Sequence, residues 1–300
     1  MNYKLSKLQL GTNKVDCILE FSSLFKITEF CYIDGFGYIL LFKDQHCLGL
    51  IDSKNKFIFP WAGELNIHGH YDSTAPLFEY PSSICYSDKV KKAFIIENGG
   101  MRIREIDINP FYTSSVFGIA VEKKMEKYFE NFESIKDVNT SCCTDNNGNI
   151  YWTVRELNRC FKYNFSHSDF EEYMGNGKYG FSIASNFRSS LISLPSGLLH
   201  LGDSIYIADT GNHCIREEAK IIIGSPSRYG YKDDLGIDSI LNSPTKIISL
   251  KKILCFIDID KIRYYSLADK LVGTLYKSPY IVSIESNKKD LIILEIHENY

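Results

Sequence analysis

The sequence predicts an all-β fold of the β-propeller class, built from four-stranded antiparallel blades. Aromatic residues make up 14% of the 300 residues, with 20 Tyr and 19 Phe, and these residue types favour strands. Short alternating apolar runs, separated by turns rich in Asp, Asn and Gly, recur through the chain, as repeated blades require. A propeller of this length forms one unit, so we expect a single domain over residues 1–300.

The repeat is clearest in two segments that align without a gap, Lys92–Glu105 and Ser204–Glu217. Each segment has an alternating run, a polar turn and a second run that contains Ile-Arg. Three further copies carry an apolar marker residue at the position that matches the Ile of this Ile-Arg pair. The five markers are Leu48, Ile103, Phe161, Ile215 and Ile262, at spacings of 55, 58, 54 and 47 residues. This period is typical of a propeller blade followed by a long connecting loop.

A sixth copy begins at Asp290, but the sequence ends at Tyr300, before a full blade is complete. The segment Val15–Phe21 alternates between apolar and polar residues and supplies the missing outer strand. We therefore expect strands from both termini to close the ring, because closure removes the open sheet edges that promote aggregation.

A second element lies between the copies. Gly63 and Gly69 are six residues apart, and Gly224 and Gly230 have the same interval before a later copy. We expect these glycines to adopt a positive φ as the outer strand ends, since glycine does so without steric cost.

The segment Ile205–Arg216, with the sequence IYIADTGNHCIR, resembles the signature of the NHL repeat nearly letter for letter. The intervening Gly…Gly-x-x-Asp…Phe/Leu…Pro pattern resembles the linker of that family. The resemblance extends over roughly residues 27–300 and is degenerate in the third and sixth copies. It implies a six-bladed β-propeller, and it separates the chain from WD-repeat and kelch propellers, which the period alone does not.

The signature contains a group of polar side chains of the types found in catalytic sites. Asp and Asn side chains also stabilise turns by bonding nearby backbone amides, and these positions recur as signature residues across blades of the family. We therefore interpret them as structural. The predicted structural residues are Arg104, Asp209, Asn212, His213, Arg216 and Arg263.

Long segments connect the outer strand of one blade to the inner strand of the next, and they emerge at the same edge as the Asp209–Asn212 type of turn. Loops on a rigid scaffold are where binding residues concentrate. The four segments are Gly63–Pro81, Ala120–Thr140, Gly175–Pro195 and Gly224–Pro244.

Residues 120–138 predict a helical insertion within the second of these segments. Met125, Phe129 and Phe132 lie at helical spacing and make one apolar face. That face either packs onto the propeller or docks a partner.

Metal ligation has weak candidates in His68 and His70, which belong to an H-x-H-x-D sequence. The Asp of this sequence recurs as part of the repeated turn, so only the histidines are distinctive. The nine cysteines include no C-x-x-C and no zinc-ligand spacing, and we expect reduced thiols packed as small hydrophobes. We expect no cofactor and no catalytic group.

The formal net charge is −3, whereas nucleic-acid binding needs a basic footprint, so a nucleic-acid partner is disfavoured. Neither a signal peptide nor an apolar run of the roughly 20 residues needed to cross a bilayer is apparent. We expect a monomeric cytoplasmic protein without membrane partners.

These observations favour a non-catalytic scaffold that binds a protein or peptide partner on the long-loop face. The proposed contacts are Tyr71, Tyr112, Phe129, Tyr229 and Tyr231. Tyr71 and Tyr231 are read as equivalent linker positions, and the alternative for both is that they pack against their own blades.

Two other functions stay open at this point. The first is a metal-dependent lyase or hydrolase at the channel mouth, as in six-bladed relatives, with Glu97 and Asp209 at equivalent strand ends. The second is RNA binding, as in propellers attached to tripartite-motif ligases.

Overall fold

The computed structural model describes residues 1–12, 14–116, 119–130, 134–226 and 228–297. Within these ranges, 24 strands form six four-stranded antiparallel sheets. The prediction of an all-β, six-bladed propeller is therefore confirmed.

The strands follow one another with few other elements. In chain order they are β1 (Asn2–Gln9), β2 (Lys14–Ser22), β3 (Glu29–Ile33), β4 (Gly37–Phe42), β5 (Cys47–Asp52), β6 (Phe57–Ala62), β7 (Ser83–Ser87), β8 (Lys92–Glu97), β9 (Arg102–Ile108), β10 (Phe111–Ser115), β11 (Thr140–Thr144), β12 (Ile150–Val154), β13 (Arg159–Asn164), β14 (Asp169–Met174), β15 (Leu198–Leu201), β16 (Ser204–Asp209), β17 (Cys214–Glu217), β18 (Lys220–Gly224), β19 (Pro244–Leu250), β20 (Ile253–Asp258), β21 (Lys261–Ser266), β22 (Val272–Lys277), β23 (Ile281–Ser286) and β24 (Leu291–His297).

The helices are short. The α-helix of the described residues is α1 (Ile119–Glu126), and the 3₁₀ turns are Lys43–Gln45, Asn98–Gly100, Ile135–Asp137, Arg155–Leu157, Phe187–Ser189, Thr210–Asn212 and Gly236–Asp238. None of the helices in the described ranges has the length and apolar character that a membrane crossing needs.

Five blades take their strands in simple chain order, so β3–β6 form blade one and β19–β22 form blade five. The first strand of each blade is the innermost one. In blades one and two, β3 packs beside β7, and β19 of blade five packs beside both β15 and β23. In blades one to five, the second and third strands are joined by a turn that we call the middle turn.

The chain divides into two compact units. The first comprises Met1, residues 23–152 and residues 162–171, and it holds blades one and two. The second comprises residues 2–22, 153–161 and 172–300, and it holds blades four, five and six. Blade three contributes strands to both.

The core of each unit lies between neighbouring blades. In the first unit Ile39, Phe78 and Ile95 belong to one buried cluster. In the second unit Ile215 and Phe256 belong to a comparable cluster between blades four and five. Eight of the nine cysteines are buried, and Cys17 is exposed; all nine are free thiols.

Blade six is completed from the N-terminal side, in the order β23-β24-β1-β2. The predicted closing strand Val15–Phe21 lies within β2, the outermost strand. Strand β1 was not predicted from the sequence; it pairs with β24 on one side and with β2 on the other. A β-bulge between Leu5 and Ser6 interrupts the alternation of buried residues, and a bulge of this kind conceals the period-two pattern.

The predicted helical insertion is shorter than expected. Helix α1 ends at Glu126, and Phe129 lies in the turn that follows, where its N–H donates to the Glu126 carbonyl. Met125 and Phe129 are both buried, so they pack inward. Phe132 lies outside the described residues.

Candidate functional site

The candidate sites lie at the edge of each blade where its middle turn and its long connections emerge. We call this the linker edge, and we name its connections the first linker (63–82), the second (116–139), the third (175–197) and the fourth (225–243). Because the strands are antiparallel, a middle turn and the linker that leaves the same blade lie at the same edge.

A buried arginine fastens the third linker to blade four. Arg216 is fully buried in β17 and donates from Nη1 to the Ser182 carbonyl and from Nη2 to the Leu191 carbonyl, each at 3.0 Å. Its Nε donates to Asp209 Oδ2 at 2.7 Å. Asp209 also accepts from the backbone N–H of Ser193, at 2.7 Å. The linker is thereby held in one conformation.

Blades two and five repeat this contact. Arg104 donates to the carbonyls of Tyr71 and Leu77 in the first linker, at 2.9 and 2.8 Å. Arg263 donates to the carbonyls of Lys232 and Ile240 in the fourth linker, at 2.7 and 2.8 Å. The carboxylates of Glu97 and Asp258 take the position of Asp209.

Blades one and three lack both partners of this ion pair. Phe42 and Gly49 replace the acid and the arginine in blade one, and Val154 and Phe161 replace them in blade three. Blade one is preceded by a short connection after β2, and blade three by the linker that contains α1. The buried arginine therefore occurs in the three blades that are entered by the first, third or fourth linker.

The middle turns hold the other end of the same linkers. His213 has a φ of 53°, and its Nδ1 accepts the backbone N–H of Ser243 at 3.2 Å. His46 does the same for Tyr80 in blade one, and Asn158 Oδ1 does so for Leu194 in blade three.

Glycine is required where an outer strand ends beside these turns. Gly224 has a φ of 78°, and a Cβ there would lie 2.5 Å from the His213 carbonyl oxygen. Gly63 and Gly175 also have positive φ and make the same approach to the turn residues of their blades. The predicted positive φ is confirmed at Gly63, Gly224 and Gly230 and is wrong at Gly69, whose φ is not positive.

The first, third and fourth linkers, which the buried arginines hold, each carry two ring side chains around a central glycine. The motif is Tyr179–Phe181 in the third linker, Tyr229–Tyr231 in the fourth and His68–His70 in the first. In each case the next residue supplies a carbonyl to the buried arginine. Tyr231 thus corresponds to His70, and the sequence-based equivalence of Tyr231 with Tyr71 is wrong by one residue.

The rings of this motif stack on the elements that anchor the linkers. The Phe181 ring lies 4.6 Å from the Arg216 guanidinium carbon, and the Tyr231 ring lies 4.8 Å from that of Arg263. The Tyr229 ring centroid lies 5.6 Å from that of His213. Stacking of this kind fixes ring orientation while leaving the outer face free for contact.

The predicted partner-binding residues differ in exposure. The exposed fractions are 62% for Tyr71, 44% for Tyr112, 76% for Tyr229, 50% for Tyr231 and 7% for Phe129. Phe129 is therefore not available to a partner, because its side chain is buried in the turn after α1. Tyr112 lies within the outermost strand β10, opposite Asp107, and not in a linker. Tyr71, Tyr229 and Tyr231 lie in linkers.

Sequence reasoning missed a set of exposed apolar side chains in the third linker, namely Tyr179, Phe181 and Ile183. The signal was present, since Tyr-Gly-Phe at 179–181 matches Tyr-Gly-Tyr at 229–231. Gly175 and Gly180 are five residues apart and not six, which obscured the match.

His68 and His70 are exposed and belong to no strand. The His68 ring lies 5.5 Å from that of His46. Burial, and to a smaller extent the charge of His68, lowers the pKa of His46. Among the described residues, no group of three or more His, Cys, Asp or Glu side chains has the geometry of a metal site.

The carboxylates at the strand ends each form an ion pair with a buried arginine. Burial raises the pKa of Glu97, Asp209 and Asp258, and the adjacent guanidinium groups oppose that rise. A guanidinium beside each carboxylate also repels a cation, so these acids do not form a favourable metal-binding set.

A small cavity opens beside the ring of Tyr231. It has a volume of about 200 Å³ and is lined by residues that include Tyr231, Ile259, Asp260 and Lys261. The Lys261 ammonium lies 4.7 Å from the Tyr231 ring centroid and pairs with the Asp260 carboxylate at 2.5 Å. The cavity therefore combines an aromatic wall with an internally compensated charge pair.

The chain matches no protein-family model, and no curated protein resembles it in sequence. Solved structures share its fold. A protein of unknown function from Bacteroides thetaiotaomicron superposes with a TM-score of 0.65 at 10% identity, covering 98% of this chain and 76% of that one. An auxiliary nutrient binding protein from Bacteroides ovatus gives 0.58 at 12% identity, covering 94% and 62%. A catalytically inactive virginiamycin B lyase from Staphylococcus aureus gives 0.52 at 11% identity, covering 98% and 100%.

Proposed function

We propose that this propeller is a non-catalytic scaffold that binds a protein or peptide partner at its linker edge. The observation that carries the proposal is that linkers anchored by fully buried arginines present exposed tyrosines there, among them Tyr71, Tyr229 and Tyr231. Tyrosine brings a large contact area at low entropy cost. A linker that is already ordered lowers the cost of binding further.

The proposal includes blades of the NHL type. Support comes from the segment Ile205–Arg216, whose Asp209 and Arg216 hold the third linker, and from the same arrangement in blades two and five. Replacing residues 205–216 by the equivalent segment of an NHL-repeat protein should preserve cooperative thermal unfolding. The equivalent WD-repeat segment should abolish it, and equal tolerance of both segments would argue against this assignment.

The proposal also takes the protein as cytoplasmic. Its nine cysteines are all free, and structural disulfides are rare in reducing compartments. Fractionation of the native cell tests this location, and recovery in an oxidising compartment would contradict it.

The test of the binding function is quantitative co-purification from the native cell with matched variants. Tyr229→Ala removes an exposed ring at the linker edge. Lys252→Ala removes an exposed side chain from the turn between β19 and β20, at the opposite end of blade five. We expect a specific partner to be lost with Tyr229→Ala and kept with Lys252→Ala. The same partners with all three proteins would contradict the proposal.

A further inference from the structure

The third linker presents an apolar surface that nothing in the described chain covers. Tyr179 is 67% exposed, Ile183 is 57% exposed, and Phe181 between them is 37% exposed. The three side chains alternate along the linker, with Gly180 at a φ of 142°. They form a short aromatic and aliphatic stripe.

The charged side chains of the third linker are all positive. Between residues 175 and 197 the sequence contains Lys178 and Arg188 but no Asp or Glu, in a chain whose net charge is −3. Both side chains are exposed. The fourth linker differs, because it contains Asp233, Asp234 and Asp238.

Side chains of blade four hold the backbone of this stripe in place through hydrogen bonds. Arg216 donates to the carbonyls of Ser182 and Leu191, and Asn212 Nδ2 donates to the Gly180 carbonyl at 2.8 Å. The Phe181 ring stacks on the same arginine. A surface ordered in this way binds a flexible partner without first having to be ordered itself.

We propose that the third linker is a docking site for a short acidic peptide, whose carboxylates pair with Lys178 and Arg188 while its apolar side chains pack on Tyr179, Phe181 and Ile183. The inference rests on the proposed binding function and specifies the chemistry of the partner. Positive charge beside exposed aromatic rings complements a segment that alternates Asp or Glu with apolar residues. A single-stranded nucleic acid fits less well, because two cations in an acidic chain neutralise few phosphates.

The experiment selects random 12-residue peptides displayed on phage against the full chain, then measures the enriched peptides by fluorescence anisotropy. We expect enrichment of sequences rich in Asp and Glu with interspersed apolar residues, and weaker binding at higher salt. The double charge reversal Lys178→Glu with Arg188→Glu should weaken binding at least about tenfold. The matched reversal Lys251→Glu with Lys252→Glu makes the same change of net charge at the opposite edge and should leave the affinity unchanged.

Tyr179→Ser is the second variant, and it keeps every charge while removing an exposed ring. We expect it to lose affinity with an unchanged melting temperature. No enrichment, peptides without acidic bias, or equal loss in the control reversal would overturn the inference. Binding of a 12-nucleotide single-stranded RNA with no binding of acidic peptides would also overturn it. If enriched peptides depend on Tyr229 and not on Lys178 and Arg188, the linker-edge function stands and the acidic-peptide inference fails.

Discussion

Arg216 and Asp209 form an ion pair with no exposed surface on either side chain. Nη2 of the arginine lies 2.6 Å from Oδ2 of the aspartate, and the guanidinium also bonds two carbonyls of the third linker. One side chain in β17 therefore compensates a buried carboxylate and fixes the loop that passes over it. Asp209 and Arg216 therefore stabilise the fold only as a pair, because either charge alone would be buried without its partner.

Replacing Arg216 with Met should lower the free energy of unfolding by about 3–5 kcal/mol, the usual cost of leaving a buried charge without its partner. Arg188→Met, at an exposed position of the same linker, should change it by less than about 0.5 kcal/mol. Urea denaturation measures both. Similar effects for the two variants would show that the ion pair does not hold the linker.

The pH dependence of the Arg216→Met variant follows from Asp209. Burial raises the pKa of Asp209, and Arg216 opposes that rise, so the pKa should rise further in the variant. The folded variant then binds a proton that the unfolded chain does not, so its free energy of unfolding should increase relative to that of wild type as the pH falls from about 7 towards 5. A difference between variant and wild type that does not change over that range would contradict this account.

His213 has a natural substitute in blade three, where Asn158 makes the same bond from the same left-handed backbone. His213→Asn should therefore cost less than about 1 kcal/mol, since Asn tolerates positive φ and keeps an acceptor. His213→Leu should cost about 1–3 kcal/mol, because the Ser243 N–H loses its acceptor. Equal melting temperatures for the two variants would contradict the role assigned to this turn.

The N-terminal strands should contribute directly to stability. Leu8 in β1 is fully buried in blade six, so Leu8→Ala should cost about 2–5 kcal/mol. Leu24 is 87% exposed, and Leu24→Ala is the control.

Deleting residues 1–24 should expose the edge of β24 and promote aggregation. A truncated protein that stays monomeric with an unchanged melting temperature would contradict the closure of blade six.

His46 should make stability depend on pH. Burial lowers its pKa, and its Nδ1 has to stay unprotonated to accept the Tyr80 N–H. The unfolded histidine titrates near about 6.5, so protons favour the unfolded chain and stability should fall as the pH drops from about 7 to 5. His46→Asn should flatten this dependence, and His167→Asn, at an exposed position, should not. Identical slopes in His46→Asn and wild type would refute the assignment.

The sequence predicted most of the fold because each blade repeats a local signal. The strand-turn-strand pattern of Ile205–Arg216 recurs with the same turn chemistry, and the linker glycines mark where outer strands end. Strand β1 escaped prediction because its bulge at Leu5 breaks the alternation. It also belongs to a blade assembled from both termini, so no complete local copy of the repeat surrounds it.

The site was less predictable, because exposure is decided by tertiary packing. Phe129 and Tyr229 are both aromatic residues in long connections, yet the first is buried in the turn after α1 and the second is exposed over His213. The helical spacing of Met125 and Phe129 indicated an apolar face, but it did not decide whether that face packs inward or docks a partner. The stripe in the third linker was visible only as Tyr-Gly-Phe, and the shorter glycine interval concealed its match to the fourth linker.

The central claim is that partners bind at the linker edge, and site-specific photo-cross-linking in the native cell tests it most directly. Benzoylphenylalanine replaces Tyr229, which is 76% exposed at that edge, or Lys252, which is exposed at the opposite end of β19. The account predicts a discrete cross-linked product from position 229 and none from position 252. Products from position 252 alone, or from neither position, would contradict it.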